Sequence, residues 1–420
     1  MRVLFLNTSD SKGGAAIAAK RLMDTLRKEG IDVSMIVRDK AIDDPAVIKI
    51  RSSKWMNKIC FIYERLGIFI HNGFNRENLF AVSQANTGVD ISRYNEVKRA
   101  DIIHIHWINQ GFLSLKDVQR LVAIGKPVVW TMHDMWPCTG ICHHARDCTS
   151  FMSKCGNCFF LQSNKKRDLS TAVFRKKQQR IFCEENITMV GCSQWLAGKA
   201  KTSALTKRLR VISIPNPIDI QQFKSYSDKE SCRRRLGLPE HKRLILFGAA
   251  NVTDKRKGIY YLIDAINRLL AVDPCLAEKM GIVAFGEAKA EFVNLVKIPV
   301  YSLGYVSDVS QIVALYNAID VFVTSSLEEN LPNTIMEAMA CGVPCVGFRI
   351  GGIPEMIGHK KNGYVASYKD TDDLAAGIDW VLNKADRDEL FRNARRKVEK
   401  NYSEAVVAKQ YIQLYQRLLK

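Results

Sequence analysis

At 420 residues the chain is too long for one ordinary domain and comfortable for two, and its 47% apolar content excludes a disordered chain. Lys and Arg number 62 against 43 Asp and Glu, and the net charge of +19 serves either solubility or an anionic partner: an acidic substrate, a membrane surface or nucleic acid. No window supplies the roughly 20 uninterrupted apolar residues of a spanning helix, and Met1-Arg2 leads directly into strand-like "VLFLN" rather than a signal peptide, so a cytoplasmic protein is expected.

In chain order, "RVLFLN" (2–7) reads as a buried strand, and "GGAAIAAKRLMDTLRKEG" (13–30) as an Ala-rich amphipathic helix ending at Gly30. The pair Gly13-Gly14 opens that helix after a strand, where glycine permits the close backbone approach that a diphosphate requires. "VSMIV" (33–37) follows as a strand. "ICFIYERLGIFI" (59–70) is the most apolar stretch, broken by Glu64 and Arg65. "DIIHIHW" (101–107) and "PVVWTMH" (127–133) are continuous apolar runs, the pattern of strands covered on both faces. His104 and His106 share one face of the first run and are read as lining the sheet end rather than binding metal. His133 ends the second, and Asp134 orients either His133 or the local turn.

Five of the twelve cysteines fall within 138–158. Cys142, Cys148, Cys155 and Cys158, with intervening gaps of five, six and two residues, form a candidate structural zinc site, with His143 as a replacement ligand; buried reduced thiols are the alternative. The segment "NKKRDLSTAVFRKKQQRIF" (164–182) is basic and helix-like. Together with residues 55–70 it suits an anionic membrane surface. Nucleic acid is the rival partner, but aromatic residues are not interleaved with the basic ones.

Beyond a linker at "IPNPID" (214–219), strands recur at "RLILFGA" (243–249), "GIVAFG" (281–286), "VYSLGY" (300–305), "VFVTSS" (321–326) and "PCVGF" (344–348). The alternation predicts two doubly wound α/β domains, residues 1–215 with a Cys-rich insertion at 138–158 and residues 216–400, facing a central cleft at the C-terminal ends of their strands. Residues 401–420 are an amphipathic helix expected to pack back on the N-terminal domain.

Within "SSLEENLPNTIMEAMACG" (325–342), a strand end passes through a turn into a helix with Pro332 near its first turn and Gly342 at its C-terminal end. A helix start after a strand offers N–H groups and a positive dipole end to phosphate. Glu329 in the turn and Glu337 in the helix suit sugar hydroxyls, whose O–H groups a carboxylate accepts. A molecule rich in both phosphates and hydroxyls, such as a nucleotide sugar, fits. The alternative is two acids that merely complement the helix dipole.

Glu329, seven intervening residues and Glu337, followed by "EAMACGVPCV" and the "GGIPE" turn, resemble the Glu-x7-Glu signature of the retaining GT-B glycosyltransferases (glycosyl transferases group 1). "HIHWINQGFLSL" and "GKPVVWTMHDMWPCTGICHH" resemble a branch associated with bacterial exopolysaccharide, colanic-acid-like or O-antigen (lipopolysaccharide) assembly. The resemblance implies a GT-B fold and a hexosyl transfer with retention, by front-face attack in which the leaving diphosphate takes the acceptor's proton. Catalysis then needs no metal. It implies that Glu337 binds ribose hydroxyls, that Glu329 holds the donor sugar with backbone N–H groups around Asn330 and Leu331, and that Thr334 meets a phosphate. Lys257 and Arg256, in "NVTDKRKG" (251–258), would neutralise the diphosphate. Gly13 and Gly14 would face it, and His133 would lie against the sugar. Asn-Leu-Pro replaces the family's Gly-Phe-Gly-like residues after the first Glu, and Ala249-Ala250 stand where an Arg is usual. The implied donor is a UDP- or GDP-sugar and the implied acceptor a polyprenyl-diphosphate-linked oligosaccharide at the inner face of the cytoplasmic membrane. An epimerase or phosphorylase of the same architecture, or a zinc-containing nucleic-acid-binding protein, are the alternatives.

Overall fold

The structure, a computed structural model, describes residues 1–162, 165–251, 254–287, 295–304, 306 and 308–420. Asn164 of the basic segment, Val252 and Thr253 of "NVTDKRKG" and Tyr305 of "VYSLGY" lie outside the described residues. The chain divides into two compact units, Met1–Pro217 with Val407–Lys420, and Ile218–Val406.

The first unit contains β1 (Arg2–Ser9), β2 (Asp32–Asp39), β3 (Val47–Lys49), β4 (Ile102–Ile105), β5 (Val128–Met132), β6 (Ile187–Gly191) and β7 (Arg210–Ser213). They pair, all parallel, in the order β3-β2-β1-β4-β5-β6-β7. Period-2 alternation sends successive residues of β1 to opposite faces. Val3 and Phe5 join one core with Leu22 and Leu26 of the helix Gly14–Lys28, while Leu4 and Leu6 join another with Ile103, Trp130 and Met132. Both sides are apolar because both are covered, which is why these strands read as unbroken hydrophobic runs. From Val407 on, the helix Glu404–Leu418 belongs to this unit and packs Val407, Tyr411 and Tyr415 beside Val3 and Phe5.

The second unit contains β8 (Arg243–Asn251), β9 (Met280–Glu287), β10 (Val300–Ser302), β11 (Val321–Thr324), β12 (Cys345–Phe348) and β13 (Gly363–Ala366). They form a parallel sheet in the order β10-β9-β8-β11-β12-β13. In each sheet the strand order reverses next to the first strand, between β1 and β4 in one unit and between β8 and β11 in the other. At such a switch point the loops leaving the two strands diverge, and the space beyond their carboxyl ends receives ligand.

One buried carboxylate organises the second unit. Asp320, just before β11, accepts from Lys229 at 2.7 Å, Arg233 at 2.8 Å, Arg387 at 2.5 Å and the Leu244 N–H at 2.6 Å. Burial acts to raise its carboxyl, but Lys229 and Arg387, with the Lys229 and Leu244 hydrogen bonds, outweigh burial and hold it below the usual range. A depressed carboxylate adds stability that is present above its unfolded value and is lost as pH falls through the folded one. Asp320→Ala strips three cations of their common partner and leaves the Arg233 guanidinium buried. It is expected to lower stability by about 3–5 kcal/mol, read as a fall in the urea midpoint. An unchanged midpoint would refute this account of the unit.

Candidate active site

In the second unit, the two loops that diverge at the switch point meet. The loop after β8 carries Asp254–Gly258 and the loop after β11 carries Ser325–Pro332. The Leu327 N–H donates to the Arg256 carbonyl at 2.7 Å, and Ser325 Oγ donates to the carbonyls of Lys257 (3.2 Å) and Gly258 (2.7 Å). The approach is so close that a Cβ on Gly258, at φ 65°, would lie 2.0 Å from the Ser325 carbonyl oxygen. Only glycine fits there. Across this seam Lys257 Nζ reaches Glu329 Oε1 at 2.5 Å, with about a third of the lysine side chain still exposed. Arg256 lies on the same turn but forks onto Asp254, Nη2 to Oδ2 at 2.7 Å, and is half-exposed.

The backbone after Glu329 is held from a second side. Gly352 N–H donates to the Asn330 carbonyl at 2.6 Å, and a Cβ on Gly351 (φ 56°) would meet the Glu329 carbonyl oxygen at 1.9 Å. The "GGIPE" turn therefore serves as a brace under Glu329 and Asn330. Asn330 and Leu331 are buried, and Pro332 caps the helix Asn333–Ala340 without a side-chain hydrogen bond. Thr334 is the second residue of this helix. The helix ends where Gly342 N–H returns to Met339 O and Val343 N–H to Ala338 O, the paired bonds of a Schellman motif. Glu337 lies one turn in, and its Oε2 accepts from the Tyr316 hydroxyl at 3.1 Å. Burial and then the Glu337 charge push the Tyr316 phenol well above its ordinary range, so it remains a donor and fixes the carboxylate.

In the first unit, three imidazoles stand in a row at the ends of β4 and β5. His104 stacks on His106 with centroids 4.2 Å apart, and His106 on His133 at 5.3 Å. His104 is saturated, Nδ1 by the Tyr415 hydroxyl and Nε2 by Thr131 Oγ1, both at 2.7 Å. His106 Nδ1 lies 3.0 Å from His133 Nε2, while His106 Nε2 is buried without a hydrogen-bond partner. A buried N–H without an acceptor costs more than a bare ring lone pair. The His106 proton therefore belongs on Nδ1, donating to His133 Nε2, and His133 holds its own proton on Nδ1. Burial lowers the His133 imidazole to about 4, against the pull of Asp134, so it is neutral near pH 7.

Asp134 serves the turn: it accepts from Trp136 N–H at 2.8 Å and the Trp107 indole at 2.9 Å, and lies 2.6 Å from His143 Nδ1. Burial acts to raise its carboxyl, but His143 and the Trp136 N–H hold it down to about 2. Gly13 caps the helix Gly14–Lys28 after β1, on the loop across the switch point from His106.

The zinc expectation finds no support. Among the described residues no group of three or more His, Cys, Asp or Glu is placed to hold a metal ion. Cys142, Cys148, Cys155 and Cys158 pack with the apolar core of the first unit, and burial pushes the Cys142, Cys155 and Cys158 thiols up to about 12. Their packing accords with the alternative of buried reduced thiols. The expected substitute His143 is engaged at both nitrogens, by Asp134 and by Ser83 Oγ at 3.0 Å. Lys177 is buried in this region, 3.5 Å above the Trp136 ring and donating to the Trp136 carbonyl at 2.5 Å, and burial lowers its amine to about 7.

Sequence reasoning missed Tyr316, the brace by Gly351-Gly352 and the His106–His133 contact. The glycine pair was visible as a motif. Tyr316 was not, because a tyrosine in an apolar helix reads as core.

The chain was compared with known proteins. Residues 241–384 match the family described as "Glycosyl transferases group 1", and residues 12–222, half of the chain, match "Glycosyltransferase Family 4". A glycosyltransferase of Methanocaldococcus jannaschii, "Uncharacterized glycosyltransferase MJ1607", is 26% identical over 327 residues, 76% of each chain. The "Putative colanic acid biosynthesis glycosyl transferase WcaC" of Escherichia coli is 24% identical over 330 residues, again 76% of each. Among solved structures, Anabaena Alr3699/HepE in complex with UDP-glucose superposes with a TM-score of 0.63 at 17% identity, covering 99% of this chain and 100% of that one. WaaG, "a glycosyltransferase involved in lipopolysaccharide biosynthesis", gives 0.60 at 15% identity over 97% and 98%. At such identities the superpositions show the GT-B fold. Two parallel-sheet units, the signature pair Glu329 and Glu337, and matches along both halves lead to one statement: the chain belongs to the glycosyltransferases of family 4 and is a GT-B glycosyltransferase.

Proposed function

We propose that this glycosyltransferase moves a hexose, with retention, from a UDP- or GDP-sugar to a growing lipid-linked oligosaccharide of the bacterial surface. The observation that carries the reading is the meeting of Lys257 and Glu329 at 2.5 Å, from the two loops of one switch point and next to the helix that bears Glu337. In this reading Glu337, steadied by Tyr316, takes the ribose hydroxyls. Glu329 and the backbone N–H groups of Asn330 and Leu331 hold the sugar. Lys257, Arg256 and Thr334 take the diphosphate, whose charge grows as the glycosidic bond breaks. On the resemblance alone, His133 is assigned to the sugar and the Gly13-Gly14 turn to the diphosphate. Protein cations supply the charge stabilisation, so no metal is required, and the leaving diphosphate oxygen accepts the acceptor's proton. The relative named for colanic acid biosynthesis and the structural neighbour named for lipopolysaccharide biosynthesis support a glycan acceptor. The UDP-glucose complex of a third protein on this fold supports a nucleotide-sugar donor.

A panel of UDP- and GDP-sugars tested by thermal shift is the direct experiment. A ligand of the folded state at a hundredfold excess over its Kd adds about 2.7 kcal/mol, roughly 5–10 °C in a unit of this size. One nucleotide class is expected to give that shift, and Glu337→Gln to abolish most of it while leaving the unliganded melt unchanged. No shift with any nucleotide sugar, or an equal shift in Glu337→Gln, would overturn the assignment. Release of an epimerised donor, or dependence on inorganic phosphate, would redirect it to an epimerase or a phosphorylase.

A further inference from the structure

The helix Lys54–His71 of the first unit is oriented contrary to the ordinary rule for surface helices. An amphipathic helix normally turns its wide apolar stripe to the core and its charges to water. Here Trp55, Ile59, Ile62, Tyr63, Leu66 and Ile70 all point outward, each about half to three-quarters exposed. At 100° per residue they span an arc of roughly 100° on the helix surface, nearly a third of its circumference. Met56 widens the arc, and Phe74 and Phe80 flank it, both two-thirds exposed. The charged pair is the part turned inward. Glu64 is fully buried, ion-paired to Arg65 at 3.2 Å and accepting from the Gln84 and Ala85 N–H groups; Arg65 donates to the Val82 carbonyl. Scattered exposed apolar residues need no explanation, but a continuous stripe along five turns does.

The rim of the stripe is basic. Arg51, Lys54, Lys58 and Arg76 are exposed between residues 51 and 80, against the single exposed acid Glu77. A second basic element is tied to the helix end. The helix closes on Asn72, whose side chain donates to the Asn75 and Glu77 carbonyls and accepts the Gln162 N–H at 3.0 Å. That anchor brings in the loop with half-exposed Phe159 and the exposed run Lys165, Lys166 and Arg167. Among the described residues no helix is long and apolar enough to cross a membrane. An apolar stripe with a cationic border instead matches an anionic bilayer in charge and in layering: acyl boundary under the stripe, headgroup phosphates at the rim.

We propose that the helix Lys54–His71 lies in the plane of an anionic lipid bilayer, with Trp55, Ile59, Ile62, Leu66 and Ile70 inserted at the acyl boundary and Lys54, Lys58 and the Lys165–Arg167 run on the headgroups. From Trp55 to Ile70 the helix lays about 22 Å of apolar edge on the surface. The proposal concerns this face alone and stands apart from the sugar chemistry, so its test needs no donor or acceptor.

The experiment is flotation of the full chain with mixed phosphatidylglycerol–phosphatidylcholine vesicles and with phosphatidylcholine alone. Wild type is expected to float with the anionic vesicles and to dissociate as salt is raised. Ile59→Glu combined with Leu66→Glu is expected to cut partitioning by roughly tenfold or more. The triple change Lys165→Gln, Lys166→Gln, Arg167→Gln is expected to weaken binding to anionic vesicles only. Should the double variant fold poorly, Trp55 fluorescence replaces it: a blue shift and quenching by brominated lipid, present in wild type and missing in Trp55→Phe. Three results would overturn the proposal: no flotation of wild type, undiminished flotation of Ile59→Glu/Leu66→Glu, or a lipid-free wild-type dimer that this double change converts to monomer, which would give the face to a second copy of the chain.

Discussion

Lys257→Ala is expected to slow sugar transfer by roughly 10²–10³-fold, the usual cost of removing one preorganised group aimed at developing charge. In the proposed reaction the diphosphate gains negative charge as the sugar leaves. Lys257 is the cation of that turn that reaches Glu329, on a backbone that Gly258 and Ser325 clamp against the neighbouring loop. Because the benefit grows from ground state to transition state, the loss should fall mainly on kcat, with a smaller rise in KM. Removing the lysine also leaves Glu329 without its ion-pair partner. Glu329→Gln sets the baseline for this: if the defect came from an unpaired carboxylate, adding Lys257→Ala to Glu329→Gln would cost no further rate. Unaltered kcat in Lys257→Ala, with the true donor and acceptor, would remove Lys257 from the chemistry.

The second large effect is expected at the histidine row. His133→Ala should reduce turnover by about 10²-fold, within the range for losing a positioned polar group. The more discriminating changes are at His106. If His106 donates through Nδ1 and thereby fixes the His133 tautomer, His106→Asn retains a donor near that position and should stay within a few-fold of wild type. His106→Phe fills the stack without a donor and should lose roughly tenfold, about the worth of one buried hydrogen bond. Nitrogen-15 NMR of labelled histidine reads the tautomer directly: His133 protonated on Nδ1 in wild type and His106→Asn, but mixed in His106→Phe. Since burial holds the His133 imidazole near 4, it gains a proton only below that pH, and its neutral form persists as pH rises. Turnover should therefore show no inflection near pH 6.5 that His133→Ala removes. Such an inflection would mean that His133 titrates in its ordinary range, and its direction would show which form meets the sugar.

Much of the second unit was legible because its signals are local. The strand end, turn, proline and helix around Glu329 and Glu337 are contiguous, and backbone geometry turns their spacing into one loop and one helical turn. The unbroken apolar runs likewise report burial on both faces without knowledge of strand order. The cysteines show the opposite limit. Their spacing is compatible with a metal clamp and with apolar packing alike, and only side-chain placement chooses. The helix Lys54–His71 shows another limit, since a stripe at helical spacing looks the same facing a core or facing away from it. Burial of Glu64 and Arg65 revealed which way it points.

By itself, then, the sequence determined two parallel α/β units, the Glu-x7-Glu element and the glycine turns, all set by interactions a few residues apart and by period. The tertiary structure decided what depends on residues distant in the chain. It brings Lys257 to Glu329 across 72 positions, Tyr316 to Glu337, Tyr415 to His104 across 311, and three separate segments to Asp320. Most of these are buried polar groups, whose burial is tolerated only with a partner. No local pattern encodes that partner, because the order in which strands and helices pack chooses it.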